Sequence, residues 1–394
     1  MKQLSMILSI LLCLVYACSE EPNGQTPTDD IAPGVITNVH VEPQAGGALI
    51  TYDLPDDEDL LCVKAMFQLI DGKMSEEKAS VYSSELEIMG FGDTLQRDIQ
   101  LVTIDRSYNE SEPVSVSVKP ISPPFVAVQK SLTLSAAFGG IDVKMENPSS
   151  ANVIICVDIK DEKGDYINFD KIYTQQAAAT FKIRGMQSVE SDLRYYVTDR
   201  WGNTSDVSTI MLTPMFEIRI PSSHIEPMAE FTTEFAWGWQ LPGLFDDNSG
   251  TGFHTDQGTG EWPHHFVFAI DEGPIKVSRI RVIQRDGFEF QHGMPRNFTL
   301  YGSNEYPTKS EFDYSNWTKI GDFESQKPSG LPIGQNTNED VELARSGEDF
   351  DVTVAPSFKY FRVDVTKSWS GQPFICFMEF QLFGDPEGFD FTEE

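Results

Sequence analysis

Two short stretches of this chain repeat one another: residues 105–112 read DRSYNESE and residues 199–206 read DRWGNTSD. They align without gaps and share Asp, Arg, Asn and Ser at corresponding positions. Asn tolerates the left-handed backbone conformation and Ser hydrogen-bonds to nearby backbone, so the motif is typical of a turn between two strands. An apolar run precedes and follows each copy, and the copies lie about one sandwich length apart. The repeat therefore predicts two similar β-sandwiches in tandem.

The segments around the repeat alternate between apolar and polar residues. Ala48, Ile50, Tyr52 and Leu54 follow this alternation ahead of the first copy, and the run 153–159 follows it ahead of the second. A period of two places alternate side chains on one face of a strand, and no segment has a long amphipathic helical period. The pattern predicts an all-β protein.

Pro-containing stretches at 119–124 and 213–214 separate the strand-rich regions and predict the domain boundaries. The region after them is richer in aromatic residues and contains five of the six histidines, and its six or more strand candidates predict one jelly-roll sandwich. The predicted organisation is a signal peptide at 1–18, a flexible tether at 19–30, sandwiches at 31–122 and 123–214, and the third domain at 215–394.

The first eighteen residues predict export. Lys2 precedes an apolar run at 4–16, which is shorter than the roughly 20 residues that a membrane-spanning helix needs. The run ends in LVYAC at 14–18, which resembles a bacterial lipobox with Cys18 as the acylated residue. Acyl chains on Cys18 would hold the protein in the lipid of the outer membrane, and the acidic residues that follow favour the outer face. The alternative is an ordinary secretory signal that contains a cysteine by chance.

The formal net charge of −32 at pH 7 argues against two classes of partner. It would repel a nucleic-acid backbone and an anionic headgroup patch, so no nucleic acid is expected. After Cys18, only Cys62, Cys156 and Cys376 remain, and each lies in an apolar run that is typical of a buried free thiol. The sequence supports neither a disulfide scaffold nor a cysteine-based zinc site.

The third region resembles the discoidin domain, a galactose-binding-like jelly roll also known from coagulation factors, in the order of its motifs. LFDDNSGTGFHT (244–255) matches the Asp-rich opening turn, and FMEFQLFG (377–384) matches the last strand with its Glu and Gly. The chain departs from the family pattern at 270–273, where Asp-Leu-Gly is usual, and at Phe253, where Trp is usual. The repeat further resembles fibronectin type III modules, so we expect two such modules followed by the jelly roll.

Asp246, Asn248 and Thr251 fall at i, i+2 and i+5 of a Gly-containing turn. Short oxygen-bearing side chains in a tight turn can converge on one point, as a calcium ion with six to eight oxygen ligands requires. The resemblance implies that Glu379 on the last strand completes this structural site, and a bare carboxylate on that apolar strand would be unfavourable to bury. The alternative is a solvated turn and an exposed Glu at the sheet edge.

Three loops of the third region combine aromatic with hydrogen-bonding side chains, as a sugar site requires. We predict that Trp369, Arg285, His292 and Trp262 bind sugar, in that order of preference. The alternatives are a core position for each Trp and a surface position for each His.

Two further motifs contain aromatic residues or adjacent histidines. Trp237-Gly238-Trp239 is expected to pack the N-terminal segment of the domain. The adjacent His264 and His265 would point to opposite faces of a strand, which argues against a zinc site there.

A lipobox, two fibronectin-like modules and a discoidin-like domain together resemble the surface lipoproteins of bacterial polysaccharide-utilisation systems. The resemblance implies a non-catalytic protein that binds polysaccharide or oligosaccharide close to hydrolases and an outer-membrane importer. A second hypothesis is a scaffold or adhesin that docks importer lipoproteins. An enzyme is the third hypothesis, although none of the 61 acidic residues is singled out and no nucleophile-elbow or metalloprotease motif occurs.

Overall fold

The structure, a computed structural model, describes residues 27–257, 261–308, 313–352, 356–386 and Gly388. The predicted signal peptide and Cys18 lie outside these residues. Within them, no helix combines the length and the apolar character that crossing a bilayer requires. The described chain is all-β, with two Ig/fibronectin-like sandwiches followed by a galactose-binding-like jelly roll.

The first sandwich buries the apolar positions of the alternating pattern, and Ile50, Val63 and Ile88 are fully buried in its core. Its strands are β1 (Thr37–Gln44), β2 (Gly47–Asp53), β3 (Leu60–Gln68), β4 (Met74–Ser80), β5 (Glu85–Met89), β6 (Arg97–Asp105) and β7 (Val114–Val118). They form one sheet in the order β1-β2-β5 and another in the order β4-β3-β6-β7.

The second sandwich repeats this strand order. After a short helix α1 (Pro124–Ser131), its strands are β8 (Thr133–Ala137), β9 (Gly140–Glu146), β10 (Val153–Lys160), β11 (Tyr166–Thr174), β12 (Ala178–Arg184), β13 (Ser191–Asp199) and β14 (Ser208–Leu212). The sheets have the orders β12-β9-β8 and β11-β10-β13-β14, which match the first sandwich strand for strand. The internal repeat therefore does mark two similar sandwiches.

Both copies of the repeated motif close the turn before the last strand with the same hydrogen bonds. The backbone N–H of Asn109 donates to Asp105 Oδ1 at 2.9 Å, and its amide Nδ2 donates to Asp105 Oδ2 at 2.9 Å. In the second copy, Asn203 makes the same two bonds to Asp199 at 3.0 and 2.8 Å. The shared Asp and Asn are therefore paired in space as well as in sequence.

The sequence predicts the Asn as the left-handed residue of each turn. In the structure, the residue before the Asn has this conformation. Tyr108 has a φ of 68° and Gly202 a φ of 82°. The Ser acts as predicted, because the hydroxyls of Ser111 and Ser205 each accept a backbone N–H at 3.0 Å. The Asn side chain is hydrogen-bonded to the Asp, and the residue before the Asn adopts the left-handed conformation that reverses the chain direction.

Replacing Asn109 by Ala should lower the free energy of unfolding by about 1–2 kcal/mol, because the buried Asp105 carboxylate loses a hydrogen-bond donor. Asn203→Ala should have a larger effect, since the bond from Asn203 Nδ2 to the Gly90 carbonyl at 3.1 Å is buried, whereas the further bonds of Asn109 Nδ2, to the Asp29 and Ile31 carbonyls, are exposed. Urea unfolding of the full chain measures both changes, with Asn152→Ala at an exposed position as the control. Equal effects of all three substitutions would contradict the assignment.

The described chain divides into two compact units. One contains residues up to 134, 143–181 and 192–210, and the other contains 135–142, 182–191 and the residues from 211 onward. The division passes through the second sandwich. The domain boundaries after residues 122 and 214 therefore remain a prediction.

The third region is a sandwich of two main sheets with a small third one. Its strands are β15 (Ile218–Arg219), β16 (Ile225–Pro227), β17 (Phe253–His254), β18 (His264–Ile270), β19 (Lys276–Ile283), β20 (Pro295–Ser303), β21 (Thr318–Glu324), β22 (Glu348–Asp351), β23 (Tyr360–Ser368), β24 (Cys376–Phe377) and β25 (Glu379–Asp385), with helix α2 (Asn338–Ser346) before β22. The sheets have the orders β15-β25-β19-β22, β16-β18-β23-β20-β21 and β17-β24.

Aromatic rings fill the space between the sheets of this jelly roll. Phe266 and Phe268 of β18 meet Phe380 of β25 at ring distances of 5.3 and 5.9 Å, and Phe245 packs on Phe268 at 5.0 Å. Phe245 directly precedes the Asp-rich turn and Phe380 directly follows Glu379. The core therefore holds the opening turn close to the last strand.

Candidate functional site

The opening turn is held by its own polar side chains. Asp246 Oδ1 accepts the backbone N–H of Asn248 at 3.1 Å, and Asp246 Oδ2 accepts the Thr251 hydroxyl at 2.6 Å. The Asn248 carbonyl also accepts the backbone N–H of Thr251 at 2.9 Å. The three predicted calcium ligands of the turn are thus within one hydrogen-bonded loop.

Glu379 on the last strand meets this turn. Its carboxyl group accepts the backbone N–H of Asn248 at 2.8 Å and lies beside the Asp246 carboxyl group. The residue is only 2% exposed, so it is not the exposed sheet-edge residue of the alternative interpretation. Burial, together with the neighbouring Asp246 carboxyl, raises the pKa of Glu379 to about 7.

A buried carboxyl beside a second carboxyl is the environment that a bound cation stabilises. The side chains of Asp246, Asn248, Thr251 and Glu379 and the nearby backbone carbonyls supply the hard oxygen ligands that calcium prefers. Asp247 is turned away and pairs with Arg219 and Ser222. The donor set fits calcium, which would neutralise the two carboxylates and keep the turn attached to the last strand.

Arg285 is the centre of a group of loop side chains, the Arg285 cluster, which also contains Trp239, Phe288, His254, His292 and Phe374. Its guanidinium carbon lies 4.8 Å from the ring centre of Trp239 and 4.6 Å from that of Phe288. Among the described residues it makes no salt bridge to a carboxylate. The two cation–π contacts fix the orientation of the guanidinium and therefore of its N–H groups. Its positive charge has no carboxylate counter-ion among the described residues.

Two imidazoles border the guanidinium. The rings of His254 and His292 are 5.9 Å apart, and Phe374 contacts both, stacked on His254 at 5.5 Å and edge-on to His292 at 4.7 Å. Burial lowers the pKa of His254 and of His292, and the charge of Arg285 adds to both effects. At neutral pH the rings are therefore uncharged and can both donate and accept hydrogen bonds.

The cluster adjoins the calcium-candidate turn. Trp239, Gly238, Asp246 and Thr251 all line one open depression of about 330 Å³. The turn therefore lies beside Trp239, whose ring contacts Arg285.

The structure buries the first-ranked sugar residue. Trp369 is 9% exposed, its indole N–H donates to Ser325 at 3.1 Å, and its faces are covered by Phe290 and by Arg296. A pyranose has no access to that ring in this structure, which favours the core position given as the alternative for each Trp, and a sugar-binding role of Trp369 stays an untested prediction.

The other three predicted sugar residues are separated into two places. Arg285 and His292 belong to the cluster, where both also contact Phe288. Trp262 instead packs edge-on against His264, with the ring centres 5.2 Å apart, and is partly buried against the core. His264 and His265 are both buried and hydrogen-bond to different partners, Pro373 and Thr233.

Sequence reasoning missed His254 and Trp237. His254 lies within the quoted opening motif, so its position beside the turn was a usable signal. In the Trp237-Gly238-Trp239 motif, only Trp239 packs against the core as expected, whereas Trp237 is 72% exposed with a φ of 62°. The exposure of the Trp237 indole, on a residue with a left-handed backbone conformation, could not be predicted from composition.

Three family models match the chain, and each is described as a domain of unknown function: DUF4959 over residues 33–120, DUF5126 over 121–223 and DUF5000 over 242–384. No curated protein matches. The three matched ranges follow one another along the chain.

Several solved structures resemble parts of the chain at low identity. A SusE-like protein is 23% identical, with 67% of this chain and 100% of that chain covered at a TM-score of 0.42. The family 32 CBM of NanJ from Clostridium perfringens, in complex with galactose, is 14% identical, with 42% and 98% covered at a TM-score of 0.31. A two-domain fibronectin type III segment of chicken tenascin is 14% identical, with 46% and 99% covered at 0.23. The strand pairings of the chain itself define its fold.

Proposed function

We propose that this protein is a non-catalytic, surface-exposed lipoprotein that binds extracellular glycan through its jelly roll. The observation that carries the proposal is the Arg285 guanidinium, held between Trp239 and Phe288 beside two uncharged imidazoles. Sugar hydroxyls take hydrogen bonds from such groups, because a charged donor and a neutral imidazole suit ligands that both donate and accept.

Trp237 supplies the apolar part of this site. Pyranose rings present a C–H face that packs on an aromatic ring, and Trp237 is the tryptophan of the region with an open indole. Since Trp237 is two residues from Trp239, the exposed ring and the Arg285 cluster are on the same segment. This arrangement replaces Trp369 in the predicted sugar site.

Calcium has a structural part in the proposal. Bound at Asp246, Asn248, Thr251 and Glu379, it would hold the turn that shares a depression with Trp239. It would activate no water. The close pair of carboxyls at Asp246 and Glu379 is therefore assigned to a cation and not to glycoside hydrolysis.

Acylated Cys18 would anchor the chain in the outer membrane with its binding loops toward the exterior. The two sandwiches would act as a spacer that places the jelly roll away from the lipid. In this position the protein captures polysaccharide for uptake, beside importer lipoproteins.

Arg285→Gln should weaken glycan binding by about 10- to 100-fold, because hydrogen bonds from a charged donor contribute about 1.5–3 kcal/mol. Titration calorimetry against a panel of neutral and acidic polysaccharides, with calcium present, measures the effect. Arg200→Gln is the matched control, since Arg200 also stacks on a tryptophan, Trp201 at 4.2 Å, but in the second sandwich.

Folded, calcium-loaded protein that binds no glycan of the panel would overturn the proposal. If outer-membrane partner proteins were then retained equally by the parent chain and by Arg285→Gln, the scaffold hypothesis would take its place.

A further inference from the structure

Strand pairing brings together three side chains that are far apart in the sequence. β17 and β24 pair so that His254 lies opposite Cys376. His292 joins them from a turn in which it has a φ of 54°. Gly293 allows this approach, because a Cβ at that position would lie 2.6 Å from the Phe374 ring and 2.8 Å from the Cys376 nitrogen. One ligand atom from each of the three residues lies within 4.8 Å of the other two.

The ring nitrogens of the two histidines point to a common place. His254 Nδ1 donates to the Thr255 carbonyl at 2.5 Å, so its Nε2 carries the lone pair. Gln257 Nε2 lies 3.5 Å from His254 Nε2 and 3.4 Å from His292 Nε2. The amide therefore marks a point that both imidazole lone pairs face. A backbone carbonyl on the other ring nitrogen is also what commonly orients a metal-binding histidine.

We propose that His254, His292 and Cys376 bind one transition-metal ion of the zinc class, with the fourth position open to water or an outside ligand. Two imidazoles and one thiolate form a nitrogen and sulfur set that zinc prefers over the oxygen ligands of calcium. Zinc–ligand bonds of about 2.0–2.3 Å place tetrahedral ligand atoms about 3.3–3.7 Å apart. The side chains would therefore move together by about 1 Å and displace the Gln257 amide.

The surroundings of the three ligands determine how the metal would bind. Arg285 lies beside Cys376 and both imidazoles, and Phe374 stacks on His254. On binding, the S–H bond breaks, the proton goes to solvent and a metal–sulfur bond forms. The guanidinium favours the thiolate but repels the divalent ion. Removing its charge should therefore strengthen metal binding.

The inference does not depend on the proposed function, although His254 and His292 are common to both. Glycan binding and metal binding respond to Arg285→Gln in opposite directions, since glycan affinity should fall and metal affinity should be kept or rise. All metal measurements are made with no sugar present, so the failure of one proposal leaves the other testable.

Titration of the full chain with Co²⁺ tests the site, because a cobalt–thiolate bond gives a charge-transfer absorption that oxygen ligands do not give. We expect one equivalent to produce this absorption and one equivalent of Zn²⁺ to abolish it. Cys376→Ser should lose the band, and His292→Gln should lower the affinity at least tenfold. The controls are Cys156→Ser, a buried thiol of the second sandwich, and His40→Gln, an exposed histidine, and neither should change the titration.

His292 is only partly buried, so His292→Gln remains informative if the fully buried Cys376 does not tolerate serine. Absence of the thiolate band in the parent chain would overturn the proposal. So would a titration that is the same in His292→Gln and in the parent chain.

Discussion

Without calcium, the protein should lose stability as the pH rises from about 4.5 to about 7, and added calcium should remove that loss. The pKa of Glu379 is raised from an ordinary value of 4.5 to about 7 by burial and by the Asp246 carboxyl. Between these values the folded chain keeps a proton that the unfolded chain has already released, so stability falls with increasing pH. Above about pH 7 both states are ionised and this contribution is constant.

The size of the effect follows from the shift. Each pKa unit corresponds to about 1.4 kcal/mol, so ionised Glu379 destabilises the calcium-free fold by roughly 3 kcal/mol. A calcium ion bound to the carboxylates removes this penalty, and at 100 times its Kd it adds about 2.7 kcal/mol of stability. Thermal unfolding between pH 4 and 8, in chelator and in calcium, measures both quantities.

Two substitutions distinguish the effect of Glu379 on calcium binding from the effect of another buried acidic residue. Glu379→Gln should flatten the pH dependence over this range and abolish the calcium response. Glu348 is the matched control, because it is also buried with a raised pKa but hydrogen-bonds Ser325 instead of the turn. Glu348→Gln should alter the pH profile and leave the calcium response intact. A calcium response that survives Glu379→Gln would exclude this carboxylate as a ligand.

Trp369→Ala should destabilise the jelly roll by about 3–5 kcal/mol, whereas Trp237→Ala should change its stability by less than about 0.5 kcal/mol. The difference arises because Trp369 is buried against Phe290 and hydrogen-bonded to Ser325, while Trp237 is 72% exposed. Glycan affinity should respond in the opposite order. Loss of the exposed stacking surface should weaken binding at least tenfold, a change of about 1.4 kcal/mol.

Denaturant unfolding and calorimetry of the two variants, under conditions where both are folded, compare these effects directly. Phe235→Ala serves as the control, since Phe235 is 49% exposed and lies on the same segment as Trp237. A stable Trp369→Ala protein with reduced glycan affinity would restore the original sugar assignment and contradict the structure.

Much of the fold was predictable because strands and turns leave patterns among residues that are close in the sequence. Alternating positions such as Ile50 and Val63 are buried as a period of two requires, and the Asp and Asn of the repeat close equivalent turns in both sandwiches. The two short helices were missed, since eight or nine residues hold too few turns to establish a helical period.

The contact between the Asp246 turn and Glu379 was expected from the resemblance to the discoidin fold, and the structure places the two in direct hydrogen-bond contact. The exposure of each tryptophan was not predictable. Trp369 and Trp237 both lie in loops between strands, and only the packing of distant elements covers one and leaves the other open.

By itself the sequence determined the all-β class, the duplication of the sandwich and the residues of the acidic turn, because each depends on neighbours within a few positions. Only the tertiary structure brought His254, His292 and Cys376 together, and only it inserted Arg285 between two rings. These groupings arise from the pairing of β17 with β24 and from the loops that this pairing draws in. Such contacts join residues that are far apart in the chain, so a local sequence pattern cannot predict them.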